Sequence, residues 1–247
     1  MVQESNFNHD LKQEQILGRY LDKIYETSGM EGALRRVTSL DLQNAGVDLV
    51  YSSASNNNGF TYNIDEKAQL TYLNKSLPTF AFELSYMLNG KQKKGWLFDA
   101  TKTTYYYFLV TSIFLKNGLT KLSHESEISG CTLTKVHRSN LQSMLCNSKI
   151  TNPDSEGFLN EFEGRVLTEL TCEELSEKLR ASEKGSTNSK SIKLNNYIKL
   201  FYTGWLAEKP INLVVNLNYI LHNSRNSSQK RYKTAESGEI ELFGESK

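Results

Sequence analysis

The chain has 247 residues, 38% of them hydrophobic, a mean hydropathy of −0.51 and a formal net charge of +1; that is enough chain for one large domain or a domain with an extension, and too polar for a membrane protein. The longest apolar stretch, Tyr105 to Leu115, is too short and too polar to span a bilayer and the N-terminal MVQESNFNHD holds no leader-like run, so a cytoplasmic chain without membrane contact is expected. Three widely spaced cysteines (Cys131, Cys146, Cys172) without a CxxC, and four unclustered histidines, support neither a disulfide framework nor a zinc site.

The first predicted element is a helix over Asp10 to Glu26, where apolar pairs at Ile16/Leu17, Tyr20/Leu21 and Ile24/Tyr25 recur at helical spacing, with Asp10 as its cap and Gly29 beyond its end. Counting by three, four and seven places Glu14 with Leu17, Gly18, Leu21 and Tyr25 on the inward face, where an acid needs a partner. Arg19 and Lys67 are available partners, and a place at the rim of the face is the plainer reading. Met30 to Ala45 is a polar connector holding Arg35 and Arg36, basic residues of the kind that are usually solvated.

Gly46 to Lys67 then reads as a β-hairpin. Its first arm, Val47 to Tyr51, is apolar around Asp48, and its connection, Ser52 to Gly59, contains only residues that turn a chain. Its second arm, Phe60 to Lys67, alternates, so Thr61, Asn63, Asp65 and Lys67 share a side. Two carboxylates and an ammonium are thus expected on adjacent strands. Asp41 is a rival to Asp48, which is preferred because an unpaired charge among apolar strand residues is costly. Two close carboxylates repel unless a cation sits between them, and Mg²⁺ suits one or two carboxylates plus water and phosphate oxygens. With a lysine beside them, the group suits metal-assisted phosphodiester hydrolysis.

Asp48, a gap, then Asp65-Glu66-Lys67 resembles the Asp…(Asp/Glu)-X-Lys signature of the PD-(D/E)XK, or restriction-endonuclease-like, superfamily, with Val47 in place of the signature's proline. The resemblance covers roughly Asp10 to Leu115. It implies Mg²⁺ (or Mn²⁺) held by Asp48 and Asp65, a water-orienting Lys67, and nucleic acid, DNA by preference, as the partner. The helix before the hairpin often lends an acid in that family, which makes Glu14 a candidate third metal ligand. Gln69 and Tyr72 match only loosely the Gln and Tyr that some members place after the lysine, and a polar helix face describes them equally well.

Beyond Pro78, Thr79 to Tyr86 is an apolar strand fit for the middle of a sheet. It carries Glu83, an accessory acid touching the metal through water or else a satisfied buried acid. Asn89-Gly90 followed by Lys91, Lys93 and Lys94 reads as an exposed basic hairpin turn. Gly95 to Asp99 and Thr101 to Leu115 are read as further strands. Periodicity is poor from Gly118 to Asn152 apart from a short helix at Arg138 to Leu145. Thr171 and Glu174 mark a capping-box helix start, Glu183 to Ser191 is a polar loop, Leu194 to Leu206 is read as helical, and Ile211 to Leu217 alternates as a strand. Eight acids against Arg165 between Thr151 and Glu177, then eleven Lys and Arg against Glu183 and Glu208 up to Lys233, allow a local basic surface, or a solvated helix face followed by a basic tail.

The expected architecture is α/β: a mixed central β-sheet with flanking helices, with a restriction-endonuclease-like core over residues 1–150. A more helical extension, 151–222, packs on that core, and a frayed basic tail, 223–247, carries Arg225, Lys230, Arg231 and Lys233. Three functional readings follow. One is a Mg²⁺-dependent nuclease with Asp48, Asp65, Lys67 and either Glu14 or Glu83. The second is a catalytically silent relative binding nucleic acid or protein, and the third a plain α/β interaction domain. The oligomeric state, a homodimer included, stays open.

Overall fold

A computed structural model describes residues 7–27, 33–53, 59–152 and 157–246. In chain order its elements are α1 (Phe7–Thr27), β1 (Ala33–Arg36), α2 (Leu40–Asn44), β2 (Leu49–Ser52), β3 (Thr61–Ala68), β4 (Thr79–Leu88), β5 (Lys91–Lys94), β6 (Tyr106–Leu115), β7 (Ile128–His137) and α3 (Arg138–Cys146). They continue as α4 (Glu169–Ser182), β8 (Lys190–Lys193), β9 (Ile198–Tyr202), β10 (Ile211–Asn216), α5 (Leu217–Asn223), β11 (Ser228–Thr234) and β12 (Ile240–Ser246). The class is α/β as expected, but there are two sheets and two compact units, and both units are discontinuous in sequence. No helix among the described residues is long and apolar enough to cross a membrane.

The unit that carries the hairpin comprises residues 6–77, 101–138 and 225–247. Its seven-stranded mixed sheet runs β1-β2-β3-β6-β7-β11-β12, antiparallel except where β3 pairs parallel with β6. Helix α1 buries Leu17, Tyr20, Leu21, Ile24 and Tyr25 against Leu49, Ile64, Phe108, Val110 and Leu133 of the sheet. Burial of each such side chain contributes roughly 1.5–3 kcal/mol, so the helix is held by the stripe that the sequence displays. The helix begins three residues before Asp10, which therefore lies inside its first turn and does not cap it. Gly29 and residues 54–58 of the hairpin connection lie outside the described residues.

The other unit comprises the described residues within 78–100 and 139–224. Its five-stranded antiparallel sheet runs β5-β4-β10-β9-β8. The strand at Thr79 is an inner one, as expected, but of this second sheet. Asn89 and Gly90, both at positive φ, close the β4–β5 hairpin.

Several expectations are overturned. Residues 96–98 form a turn, not a strand; a Cβ on Gly95 would lie 2.3 Å from the Glu83 carbonyl oxygen, so the backbone folds tightly there. Strand β7 lies in a region without visible periodicity, because seven of its ten residues are buried, five of them in a row, and Thr, Gly and Cys take core positions. The segment read as helical at Leu194 holds β9, in which buried Ile198, Leu200 and Tyr202 alternate with Lys199 and Phe201. Thr168, not Thr171, caps α4 by accepting a hydrogen bond from the Thr171 amide at 3.1 Å, while Glu174 pairs with Arg165 at 2.6 Å. The 151–222 stretch holds three strands beside two helices, so it is mixed rather than mainly helical. Residues 228–246 are no frayed tail: β11 pairs with β7 and buries Gln229 and Tyr232.

Candidate active site

Strand β3 sets the geometry, because alternation sends Asn63, Asp65 and Lys67 to one face and Tyr62, Ile64 and Glu66 to the other. The β2–β3 register ends at the Leu49–Ile64 pair, and at the residue before it the Asp48 carboxyl group comes within hydrogen-bonding reach of that of Asp65. Asp48 lies just before β2 rather than inside it, and its backbone is pinned on both sides. Its amide donates to the Ile64 carbonyl at 2.9 Å, and its carbonyl accepts from the Val37 amide at 2.8 Å. The Glu66 amide donates to Asp48 Oδ2 at 2.8 Å, which fixes the carboxylate as well.

Lys67, two residues along the same strand face, donates from Nζ to Asp65 Oδ1 at 2.6 Å. The Asp65 side chain is 3% exposed and that of Lys67 31%, so solvent reaches the pair from the lysine side. Burial pushes the Asp65 carboxyl up to about 7; the Lys67 ammonium pulls against that rise, and Asp48, within hydrogen-bonding reach, adds to it. Burial alone would lower the Lys67 amine, but Asp65, Asp48 and Glu14 outweigh it and hold the ammonium more firmly protonated than usual. The Asp65 carboxyl thus gives up its proton near neutral pH, beside a lysine that keeps its charge.

A loop forms one wall of the site. Thr104 Oγ1 donates to the Gly46 carbonyl at 2.7 Å, Lys102 Nζ donates to the Asn44 carbonyl at 2.6 Å, and the Thr103 amide donates to the Ala45 carbonyl at 2.8 Å. Gly46 has φ +76, and a Cβ there would lie 2.6 Å from Thr104 Oγ1 and 3.5 Å from Asp65 Oδ2. Only glycine allows this approach.

The residues expected at the site divide clearly. Asp48, Asp65 and Lys67 are brought together. Glu14 sits at an exposed position of α1, not on the inward face, and acts on the charge of Lys67 from there. No group of three or more His, Cys, Asp or Glu side chains suited to a metal forms among the described residues, so a ligand trio of Asp48, Asp65 and Glu14 is not assembled. Glu83 lies on β4 in the other compact unit. Asp41 is exposed in the short α2, outside the pair. Gln69 precedes a single 3₁₀ turn, Leu70–Tyr72, and Tyr72 is its last residue.

Sequence reasoning missed the opposite face of β3. Glu66 accepts from Tyr25 Oη and from Arg36 Nη1, both at 2.5 Å, and Arg36 also grips Asp22 through Nε at 3.0 Å and Nη2 at 2.7 Å. Arg36 is therefore no lone solvated cation. It ties α1, β1 and β3 together directly behind Asp65 and Lys67. Burial raises the Glu66 carboxyl despite Arg36. The available signal was the acidic middle residue of Asp65-Glu66-Lys67, which alternation turns toward α1, but neither Asp22 nor Arg36 is near it in sequence.

No family model, no curated protein and no solved structure matches this chain.

Proposed function

We propose that the chain hydrolyses phosphodiester bonds in nucleic acid, DNA by preference, at the Asp48–Asp65–Lys67 group, on a core of restriction-endonuclease-like type. The observation that carries this reading is the approach of the Asp48 and Asp65 carboxyl groups to within hydrogen-bonding reach, with Lys67 Nζ 2.6 Å from Asp65. Support for the core comes from the order helix, antiparallel hairpin, then a strand parallel to β3.

The donor set fits Mg²⁺. Two carboxyl groups in mutual reach are offset by a single ammonium; burial pushes Asp65 up to about 7 against the pull of Lys67, and the neighbouring Asp48 adds to the rise. Mg²⁺ is commonly held by one or two carboxylates with water and phosphate completing its shell, so a third acid is not required. When bound by Asp48 and Asp65, the ion would polarise a phosphoryl oxygen and acidify a water. The remaining work falls to the chain. Asp65 must shed its proton to act as a carboxylate, Lys67 donates hydrogen bonds to a water or a phosphate oxygen, and the Gly46–Thr104 wall holds Asp65 in place.

Cleavage of supercoiled plasmid and of a single-stranded substrate in MgCl₂ tests the reading. Wild-type chain is expected to cleave at a rate that rises through about pH 7, as Asp65 ionises. Asp65→Asn and Lys67→Ala are expected to lose about 10²-fold or more in rate. Activity in EDTA, or unchanged activity in both variants, contradicts it. A second reading, a catalytically silent nucleic-acid or protein binder, is favoured by the lack of a third acid beside the pair among the described residues. In that case Mg²⁺ raises Tm without cleavage.

A further inference from the structure

The face of the seven-stranded sheet opposite Asp65 and Lys67 carries a cavity of about 300 Å³. Its lining follows from register. Tyr51 stands opposite Tyr62, Ile64 beside Tyr106, Phe108 beside Lys135, and Leu133 beside Lys230. All lie on the side that α1 covers further along, and the cavity opens where aromatic and basic residues replace the aliphatic core.

Three properties identify what such a cavity takes. Its lining holds a connected set of rings: Tyr51 and Tyr62 are nearly parallel at 12° and Tyr106 meets Tyr62 edge-on at 5.5 Å, while Tyr105, outside the lining, stacks on Tyr62 at 4.6 Å. Phe60 and Tyr105, at 44% and 42% exposed, carry the ring surface to the outside. Second, the charge is cationic. Lys135 Nζ sits 5.4 Å from the Tyr106 ring centroid, and neither Lys135 nor Lys230 forms an ion pair among the described residues, although Glu245 faces Lys230 across to β12. Burial lowers the pKa of His137, which packs on Tyr105 and Tyr106, so the positive charge comes from the two lysines. Third, the volume is at the small end of ligand sites, roughly 300–1,000 Å³. A ring over lysine is a modest partner for an ammonium, and an anion is a better one.

We propose that this cavity binds a nucleotide: the planar base lies against Tyr62 and Tyr106, and its phosphate pairs with Lys135 and Lys230. Base stacking on aromatic side chains tolerates any base, so the occupant is a nucleoside monophosphate, either free or as one unit of a single strand. The inference does not rest on the hydrolytic reading, because no residue is shared with Asp48, Asp65 and Lys67.

The test is calorimetric titration of the full chain in EDTA, so that no cleavage intervenes. The probes are adenosine 5′-monophosphate, adenosine, inorganic phosphate and a twelve-nucleotide oligoadenylate. The monophosphate or the oligonucleotide is expected to bind, with the monophosphate tighter than either adenosine or phosphate alone. An oligonucleotide tighter than the monophosphate identifies a single strand as the source, and equal affinities identify the free nucleotide. The double variant Lys135→Met/Lys230→Met and, separately, Tyr62→Leu are expected to weaken binding about tenfold or more. Thermal melting checks that each is folded, and should Tyr62→Leu not fold, the surface lysine pair decides. The proposal is overturned if neither nucleotide probe binds at millimolar concentration. Phosphate binding as tightly as the monophosphate, or folded variants binding like wild type, overturns it equally.

Discussion

Replacing Lys67 by Met removes the ammonium while keeping most of the side chain's volume, and its effect on stability is expected to depend on pH because the Asp65 beside it has a raised pKa. The rise of Asp65 from 3.8 to about 7 corresponds to about 4 kcal/mol between its two protonation states. An acid whose pKa is higher in the folded chain favours folding below the ordinary carboxylate range, and that contribution is lost as pH climbs from about 4 to about 7. At about pH 5.5 Asp65 holds its proton in both wild type and variant, so the variant loses little beyond one partly exposed hydrogen bond, about 1 kcal/mol. Without Lys67 the Asp65 pKa climbs further, and the loss continues above pH 7 at about 1.4 kcal/mol per pH unit. At about pH 8 the variant should therefore be about 2–3 kcal/mol less stable than wild type. For a chain of this length 1 kcal/mol moves Tm by about 2–4 °C. Calorimetric melts at the two pH values then give Tm losses of about 2–4 °C and about 5–10 °C. Equal losses at both would refute the reasoning, since they would mean that Lys67 does not face an acid with a raised pKa.

Arg36→Ala strips the buried Glu66 of its cation while Asp22 stays partly in water, and a loss of about 2–4 kcal/mol is expected from chemical denaturation. Arg36→Lys should restore less than half of it, because an ammonium lacks the planar fork by which Nε and Nη2 hold Asp22 while Nη1 reaches Glu66. Gly46→Ala sets a methyl group against Thr104 Oγ1 at positive φ, and about 1–3 kcal/mol of destabilisation with slower cleavage is expected. Deletion of residues 228–247 removes β11 and β12 and turns β7 into an edge strand. The shortened chain should lose its cooperative melt or aggregate, whereas an unchanged melt would mean that those residues are a tail after all.

The local parts of the fold were legible in the sequence. Helix α1 shows its stripe of Leu17, Leu21 and Ile24, and β3 shows its alternation, so the convergence of Asp65 and Lys67 needed only period two. Asp48 was legible as well, because a hairpin forces its two arms to face each other. The long-range parts were not. The pairing of β3 with β6 and the return of β11 against β7 join residues far apart in sequence, and no local pattern specifies such partners. Strand β7 hid because burial on both faces erases alternation. The aromatic and lysine cavity draws on five strands, β2, β3, β6, β7 and β11, that are neighbours in the sheet but span residues 51 to 230, so Lys230 read as part of a basic tail, whereas register sets it on the opposite side from Arg231 and Lys233. The placement of Glu14 failed for a further reason. An apolar helical stripe is wide, and helical spacing alone does not separate its centre from its rim.

The most direct test of the hydrolytic centre is a crystal of the full chain soaked in Mn²⁺ and measured for anomalous scattering. The account predicts a peak within coordination distance of both Asp48 and Asp65, lost in Asp65→Asn. Well-ordered side chains at Asp48 and Asp65 with no peak between them, or a peak only elsewhere on the chain, would contradict it.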